Sequence, residues 1–513
     1  MKFLRKIVLS MITLGLLASL TLWILAKSID PETIKQLINQ QITQSTHKDS
    51  HINGAISWQL FPRPGLKFNQ LLIGNEKSKD NYSLSIDKLL LNLKITPLLR
   101  GQLIFSEIHA DGFKLEFNHN NTSIQESNAQ QKIASTPNAK MNKQFAIQKL
   151  ILSHGQLILN NKDGATIVKN IQIGAEQINF KHNPFSVQIK GKLISIPTMS
   201  TAKATLNFKG RISLSPLILE DMKNGVNQSS IEGQLVLNNI TLNQFVINKV
   251  NATLKSHKGA LISNPLTLSL YKGESIGDME LNLISKQLLI NQTATNLDGQ
   301  DLMTALLGNK SISGRLDYSI HASIPLKDIN LEHIDSKGTL TLKDGEVFNL
   351  NIEQLINTLK TKLNALANLA PSDPKKSIKS LNWEQSKVPQ GNTSFKLANF
   401  KYTLAKGIME SDSYLLQTNR LTINGQGNLN LLNKTLHSKL KAAFLDSYDD
   451  KTLQQFQKVL GGSFPIIVTG TIEHPTVAPD FSLINPLLSA LMIKNTITTP
   501  IKMIGEPLKE LLN

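Results

Sequence analysis

The chain has 513 residues, no cysteine, 40% apolar and 18% charged residues, and a formal net charge of +17. This composition excludes a polytopic membrane protein and a wholly disordered chain, and the lack of thiols excludes disulfide scaffolds, thiolate zinc sites, iron–sulfur clusters and cysteine catalysis. The positive charge indicates nucleic acid or an anionic membrane as a partner, or a solvated positive surface, since no long Lys/Arg block occurs. Aromatic residues are only 5%, which disfavours a base-stacking platform.

An apolar run without charge, Ile7–Ala26, follows Lys2, Arg5 and Lys6 near the N-terminus. As a helix it would span about 30 Å, the thickness of the hydrocarbon core of a bilayer. Because it is longer than the apolar core of a signal peptide and ends at a poor cleavage site, we expect a retained single-pass anchor. The basic flank places the N-terminus in the cytoplasm and the rest of the chain across the membrane. The predicted anchor residues include Ile7, Leu14, Leu17, Leu20, Trp23 and Ala26.

The segment after the anchor has the pattern of a short helix over residues 31–45. Asp30 is a good N-cap, and Pro31 suits the first helical position. One narrow apolar stripe follows at helical spacing. We expect a juxtamembrane helix packed on the region that follows it.

From residue 52 to 480 the apolar residues mostly recur with a period of two. This pattern predicts strands with one apolar and one polar face, joined as a long antiparallel meander of roughly 20–25 strands. The apolar face must be covered, either by a second sheet in a sealed core or by a ligand in a groove. The candidate wall residues near the anchor are Leu89, Leu91, Leu93, Leu103, Phe105, Phe113, Leu115 and Phe117.

A weak repeat of glycine, a polar residue and Leu or Ile recurs along this region, for example at Gly155, Gly210 and Gly233. We expect each glycine to supply a turn or bulge that leads into a strand. The alternative is that these glycines simply separate the strands of any β protein.

Helical periodicity interrupts the strands at residues 299–307, 351–369, 451–460 and 482–511. The last of these predicts an amphipathic C-terminal helix that either caps the end of the sheet or lies on a membrane. Residues 118–143 are polar and lack periodicity, which predicts a flexible loop.

No motif in the chain indicates catalysis or cofactor binding. Phosphate-cradling, nucleophile-elbow and zinc-protease motifs do not occur in the sequence. His47 and His51 have the spacing of metal ligands on a helix but lack a third ligand nearby, so we interpret them as solvated histidines. We therefore expect a protein that is not an enzyme and has no cofactor and no metal.

Several segments, taken in order, resemble the AsmA family of bacterial envelope proteins. They are the run GAISWQLFPRPGLKF at residues 54–68 with LLIGN at 71–75, the strand pattern at 83–99, and the segments 297–316, 338–359 and 464–481.

The resemblance implies a periplasmic protein held by a single inner-membrane anchor. It implies a mainly β fold, in which a long, curled antiparallel sheet forms an open groove of the bridge-like lipid-carrier type, with a few amphipathic helices. The expected function is to bind phospholipids and conduct them passively, contributing to outer-membrane lipid homeostasis. The alternative is a non-catalytic structural or assembly factor that affects outer-membrane protein biogenesis.

The expected partners are phospholipid, the inner membrane, and outer-membrane assembly or lipid-transport proteins, but not nucleic acid. We divide the chain into regions that follow these expectations. They are 1–27 as cytoplasmic stub and anchor, 28–135 as an N-terminal β region, 136–290 as a central β region, 291–481 as a C-terminal β region, and 482–513 as the C-terminal helix.

Overall fold

A computed structural model of the chain describes most of the body between residues 49 and 484. The described residues are 35–36, 39–40, 49–59, 63–74, 82–94, 105–118, 147–161, 164–195, 202–219, 222–257, 259–282, 284–326, 329–367, 391–445, 450–480 and 482–484. They fall into two compact units: unit 1 is residues 1–243 with 248–263, and unit 2 is residues 244–247 with 264–513. The division of the chain into five regions, made from the sequence, stays a prediction.

Strands dominate the described residues, as the period of two predicts. The strands of unit 1 are β1 (Ser50–Ile52), β2 (Ile56–Gln59), β3 (Gly65–Ile73), β4 (Tyr82–Leu93), β5 (Phe105–Asn118), β6 (Ile147–Asn161), β7 (Gly164–Ile178), β8 (Phe185–Ser195), β9 (Ala202–Ser213) and β10 (Ser230–Leu242). At the division between the units lie β11 (Phe245–His257) and β12 (Ala260–Leu270).

Unit 2 continues this strand order and contains most of the described helices. Its strands are β13 (Gly273–Asn282), β14 (Gln287–Asp298), β15 (Arg315–Pro325), β16 (Asp335–Val347), β17 (Thr393–Ala405), β18 (Ile408–Gln417), β19 (Leu421–Asn430), β20 (Leu436–Phe444), β21 (Phe464–Gly470) and β22 (Pro475–Pro479). The helices whose bounds lie within the described residues are α1 (Met222–Gln228) in unit 1 and α2 (Gly299–Leu307), α3 (Ile352–Ala367) and α4 (Lys451–Val459) in unit 2, with short 3₁₀ helices at Pro216–Leu219 and Leu331–His333. The mainly β class with few helices is confirmed, and α2, α3 and α4 lie where the helical periodicity predicts them.

Among the described pairings, neighbouring strands run antiparallel with one exception. Strands β5 and β6 run parallel, with Ile108 opposite Leu150. The prediction of an entirely antiparallel meander is therefore wrong at this point. Parallel strands need a long connection that carries the chain back to the same end of the sheet, and residues 119–146 supply that length.

The described pairings give an open sheet in each unit. Strand pairs in unit 1 run from β1 and β2, which both pair with β3, to β9 with β10. Those in unit 2 run from β13 with β14 to β21 with β22. Within the described pairings no strand closes either sheet on itself, and they give no support to the curl that the family resemblance implies.

The ends of the chain are described only in part. None of the helices in the described ranges is long and apolar enough to cross a membrane, and the predicted anchor residues 7–26 lie outside those ranges. Residues 35–36 and 39–40 are helical, and the Ser50 hydroxyl at the start of β1 donates to the Asn39 carbonyl oxygen at 2.9 Å. This contact places Asn39 against the start of β1, and apart from residues 35–36 and 39–40 the predicted juxtamembrane helix lies outside the described residues. At the other end, residues 482–484 are helical and the rest of the predicted C-terminal helix lies outside the described residues.

The register of the unit 1 strands collects apolar side chains on one face, which we call the inner face. One row of directly paired residues crosses eight strands on this face and is called the inner row. It consists of Phe68, Leu89, Ala110, Leu152, Ile173, Ile189, Phe208 and Leu235.

The opposite side of the same strands, the outer face, carries charged and polar side chains. One of its rows alternates in charge from β5 to β10 through Glu107, Lys149, Glu176, Ser186, Arg211 and Glu232. A slip of one residue would move these charges onto the inner face, so the two rows together specify the register.

Three glycines of the predicted repeat, Gly155, Gly210 and Gly233, lie within strands and under aromatic rings. A Cβ atom added to Gly155 would lie 2.0 Å from Cζ of Phe113, and one added to Gly210 would lie 2.7 Å from Cζ of Phe208. Gly233 pairs with Gly210 and lies under the same Phe208 ring. The expectation that these glycines supply a turn or bulge is therefore wrong at Gly210 and Gly233, where the pairing register is regular; their role is to leave room for a neighbouring ring.

This packing predicts a large difference between two neighbouring glycines of the sheet. Gly155→Val must displace the Phe113 ring, and we expect it to destabilise the protein by about 1–3 kcal/mol. A Cβ at Gly174, in the next strand, meets nothing within 4 Å, so Gly174→Val should change stability by no more than about 0.5 kcal/mol. Chemical unfolding of the detergent-solubilised full chain, followed by circular dichroism, measures both. Equal losses in the two variants would contradict the proposed ring-on-glycine packing.

Candidate functional site

Five of the eight predicted wall residues have described side chains, and all five lie on the inner face. Leu89 and Leu91 pack against a buried cluster of Ile52, Leu66, Phe68 and Leu71.

The other three belong to β5. Phe113 is buried, Leu115 is half-buried and Phe117 is 40% exposed. Their paired neighbours on β4 are Ile86, Leu84 and Tyr82.

The remaining predicted wall residues are placed less fully. Leu93 and Phe105 are paired across β4 and β5, but only their backbone is described. Leu103 lies outside the described residues. The assignment of all eight as lipid contacts stays a prediction, and the structure brings the described ones onto one apolar surface.

This apolar surface continues well beyond β5. Leu152, Ile173 and Ile189, in the middle of the inner row, are only half-buried. At about 4.8 Å per strand, a row across eight strands is roughly 34 Å long. The helix α1 packs on the 3₁₀ helix Pro216–Leu219. The inner face thus offers an extended apolar strip that is partly accessible.

In unit 2 the corresponding apolar surface of the sheet is buried, because helices cover it. A row of six paired residues there is almost completely buried, each at most 6% exposed. It consists of Leu342, Ala398, Leu416, Ile423, Ala442 and Phe464. Ile352 and Ile356 of α3 and Leu453 of α4 belong to the same core and are also buried.

Helix α3 is held over the sheet by hydrogen bonds at its first turn. The Thr393 hydroxyl accepts from the Ile352 N–H at 3.1 Å and donates to the Leu350 carbonyl oxygen at 2.5 Å. The Asn351 side chain accepts from the Gln354 N–H at 2.9 Å, as an N-cap does. Because Thr393 opens β17, these bonds attach the start of the helix to the strand beneath it.

Helix α2 is fixed at both ends. Asp298 is its N-cap and accepts from the Asp301 N–H, while the Lys272 ammonium lies 2.7 Å from the other Asp298 oxygen. Gly308 ends the helix with a left-handed backbone, φ 81°, and its N–H donates to the Thr304 carbonyl. The apolar residues Met303, Leu306 and Leu307 are thereby held facing a cavity.

This cavity, which we call the unit 2 cavity, has a volume of about 330 Å³. Its walls come from the end of α2, from the segment between β16 and α3, and from β16 to β21. None of the described residues that line it is charged; its polar side chains are serines, tyrosines and one asparagine. Such a site suits a mainly apolar ligand.

Two tyrosines place hydroxyl groups at the unit 2 cavity. Burial raises the pKa of both Tyr402 and Tyr414, although hydrogen bonds to Ser336 and Ser438 act in the opposite direction. The phenols therefore stay neutral at physiological pH. The Tyr414 ring also packs on Phe400, with ring centroids 5.3 Å apart.

Sequence reasoning missed this cavity. The alternation of Phe395, Leu397, Phe400, Tyr402 and Leu404 resembles the patterns that were recognised in unit 1 and was a usable signal for a strand face. The cavity itself could not be predicted from the sequence, because its walls depend on which helix lies over which strands.

No side-chain cluster suggests a metal or a catalytic centre. Within the described residues no group of three or more His, Asp or Glu side chains could hold a metal ion. His51 is exposed on β1, and His47 lies outside the described part of the chain. The expectations of no enzyme activity and no cofactor stay predictions.

A comparison with protein-family models decides the relationship that the motifs suggested. The model described as the AsmA family matches residues 1–213. Over these residues the chain is similar to the AsmA family. The matched part includes the segments at 54–75 and 83–99, whereas the segments at 297–316, 338–359 and 464–481 lie beyond it and stay resemblances.

The other two comparisons add no relative. No curated protein and no solved structure matches the chain significantly. AsmA proteins are generally associated with membranes, and a large β-sheet fits a general role in lipid transport or envelope assembly.

The capping carboxylate of α2 predicts a pH-dependent contribution to stability. The hydrogen bond from Lys272 holds the pKa of Asp298 below its usual value, outweighing desolvation. A group with a lowered folded-state pKa stabilises the fold above its unfolded pKa of about 3.9, and this contribution is lost as the pH falls through the folded value. Asp298→Asn should keep the cap but lose the charge, so the variant should be less stable than the parent at pH 7.

Urea unfolding midpoints of the full chain at pH 7 and pH 3 measure this effect. The gap between parent and Asp298→Asn should shrink at the lower pH. The exposed Asp335 on β16 provides a control, because Asp335→Asn should leave the midpoint nearly unchanged at both pH values. A gap for Asp298→Asn that does not depend on pH would contradict this role of the charge.

Proposed function

We propose that this protein is a single-pass protein of the bacterial inner membrane whose periplasmic body binds phospholipid and conducts it passively, contributing to outer-membrane lipid homeostasis. The acyl chains would lie on the inner face of unit 1. The observation that supports this most directly is the inner row, whose members are all apolar and uncharged across eight strands.

The energetics favour hydrocarbon on this face. Each methylene kept out of water is worth about 0.8 kcal/mol. A lipid chain reaches across about half of the roughly 30 Å hydrocarbon core of a bilayer, so the apolar strip, roughly 34 Å long, exceeds its length. Along a strip without charges a chain can move without meeting a strong binding site or a barrier.

The outer face has the opposite chemistry, which supports a membrane partner. Lys169, Lys190, Lys192, Lys203 and Lys209 are all exposed on β7 to β9. Lys169 lies directly opposite Lys192 in the sheet, an arrangement that anions stabilise. We expect the body to bind anionic vesicles better than neutral ones at low salt, because the exposed lysines attract anionic headgroups. Added salt screens this attraction and should weaken binding to the anionic vesicles only.

The direction of movement would come from elsewhere. The sequence contains no phosphate-cradling motif, so lipid would flow down its own gradient or be driven by a partner. Outer-membrane assembly or lipid-transport proteins are the proposed candidates for that partner.

Two adjacent residues of β7 test the proposal. Ile173 lies in the inner row, and Gln172 beside it is exposed and pairs with Lys190. Ile173→Glu would place a charge among acyl chains, which is costly. We expect it to reduce phospholipid that copurifies with the full chain at least fivefold, as measured by mass spectrometry after detergent exchange. Gln172→Glu adds the same charge to the outer face and should leave the lipid content unchanged.

The alternative role as an assembly factor predicts a different outcome. Equal lipid content in Ile173→Glu and Gln172→Glu, or no lipid in the parent chain, would contradict lipid carriage. An outer-membrane assembly protein captured equally by parent and Ile173→Glu would then favour the assembly role.

A further inference from the structure

We infer that the unit 2 cavity is a separate binding site for a single-chain anionic amphiphile, such as a fatty acid, with its chain in the cavity and its acidic head beside Lys434. This site goes beyond the proposed function, because it lies within unit 2 and shares no residue with the inner face of unit 1.

The size of the cavity selects one hydrocarbon chain. An engineered apolar cavity of about 150 Å³ binds benzene. The unit 2 cavity, at about 330 Å³, would by proportion hold roughly a dozen carbon atoms. A phospholipid with two long chains exceeds this volume, whereas one chain of medium length fills it.

The lining suits methylene groups along most of its surface. Leu340, Ile423, Leu429 and Leu440 come from the sheet, and Met303 comes from α2. The methionine side chain adapts to chains of different shape. Since no described lining residue is charged, nothing inside the cavity would neutralise an acidic head, and the head must stay at the rim.

The rim provides a cation at the end of α2. The Lys434 ammonium nitrogen lies 3.2 Å from the position that a Cβ of Gly308 would occupy. The lysine is tied to the cavity wall, because its carbonyl oxygen accepts from the N–H of Ile472 at 3.0 Å, and Ile472 lines the cavity. Leu436, two residues further along the chain, also lines it.

The present partner of this lysine can be exchanged for a ligand. Lys434 lies 3.3 Å from a Glu473 oxygen, and both side chains are more than two-fifths exposed. Exposed pairs of this kind contribute little to stability. A carboxylate anchored by a chain in the cavity would compete well for the ammonium group, because its chain is already bound. Lys310 is exposed two residues beyond Gly308 and adds positive charge to the same chain segment.

Photolabelling of the full chain tests the chain-binding part of the inference. The probe is dodecanoate with a diazirine near the end of its chain, added to the protein in phosphatidylcholine nanodiscs, and labelled peptides are identified by mass spectrometry. We expect labels on peptides containing Met303 or Met409. Leu429→Trp, which fills the cavity, should reduce this labelling at least tenfold. Lys439→Trp, an exposed position on β20, is the matched control and should leave it unchanged.

The methyl ester of the same probe tests the role of the rim lysine. In the parent protein the acid should label the cavity at least threefold more than the ester. In Lys434→Met the two probes should label equally. A parent protein that labels equally with acid and ester would overturn the assignment of Lys434, and labelling that Leu429→Trp does not reduce would overturn the site.

Further variants separate this inference from misfolding and from the proposed function. Leu436→Phe fills less of the cavity and should reduce labelling even if Leu429→Trp fails to fold; no reduction in a folded Leu436→Phe chain would overturn the site. Ile173→Glu should leave cavity labelling intact. Cavity labelling without copurifying phospholipid would contradict the unit 1 proposal alone, and the reverse result would contradict this inference alone.

Discussion

The structure depends on one constraint, namely that each sheet has an apolar face that must be kept from water. Alternation along the strands creates this face, and the pairing register extends it from strand to strand. In unit 1 one pairing register aligns both the inner row and the charged row through Glu107, Lys149 and Glu176. A strand therefore cannot shift in a way that preserves one row and breaks the other. Rings such as that of Phe113 fill the space over glycines and keep the face continuous. All other features follow from how this apolar face is covered.

The apolar face of the sheet is covered differently in the two units. In unit 2, helices α3 and α4 lie on the apolar face, and the caps at Asn351 and Asp450 fix where each helix begins. Ile356 and Leu453 are consequently buried completely. The helices do not fill the whole face, and the unfilled part is the unit 2 cavity. In unit 1 the middle of the inner row is half-buried, and this difference in covering is the physical reason for assigning the long acyl strip to unit 1 and a single chain in a half-open cavity to unit 2.

Several features of the fold were predictable from local pattern. Leu89 and Leu91 share one side of β4, and Phe113, Leu115 and Phe117 share one side of β5, because a period of two places alternate residues on the same side of a strand. Their role as lipid contacts stays a prediction. Helices α2 and α3 were predicted closely, because apolar residues at helical spacing are a local signal. Other features were not predictable. The parallel pairing of β5 with β6 and the position of Gly155 under Phe113 both depend on neighbours distant in sequence.

The alternation of residues, the exclusion of charges and the positions of strands and helices can be read from the amino-acid sequence, since these properties belong to short stretches of chain. The similarity to the AsmA family over residues 1–213 is also a property of the sequence. The identity of neighbouring strands, the glycines that lie under rings, and the cavity that a helix leaves above the sheet become visible in the folded chain. The reason is that register and helix placement arise from contacts between residues far apart in the chain, and each partner's pattern is compatible with many others. The long apolar strip could therefore be expected from the sequence, whereas the half-open cavity beside Lys434 could not.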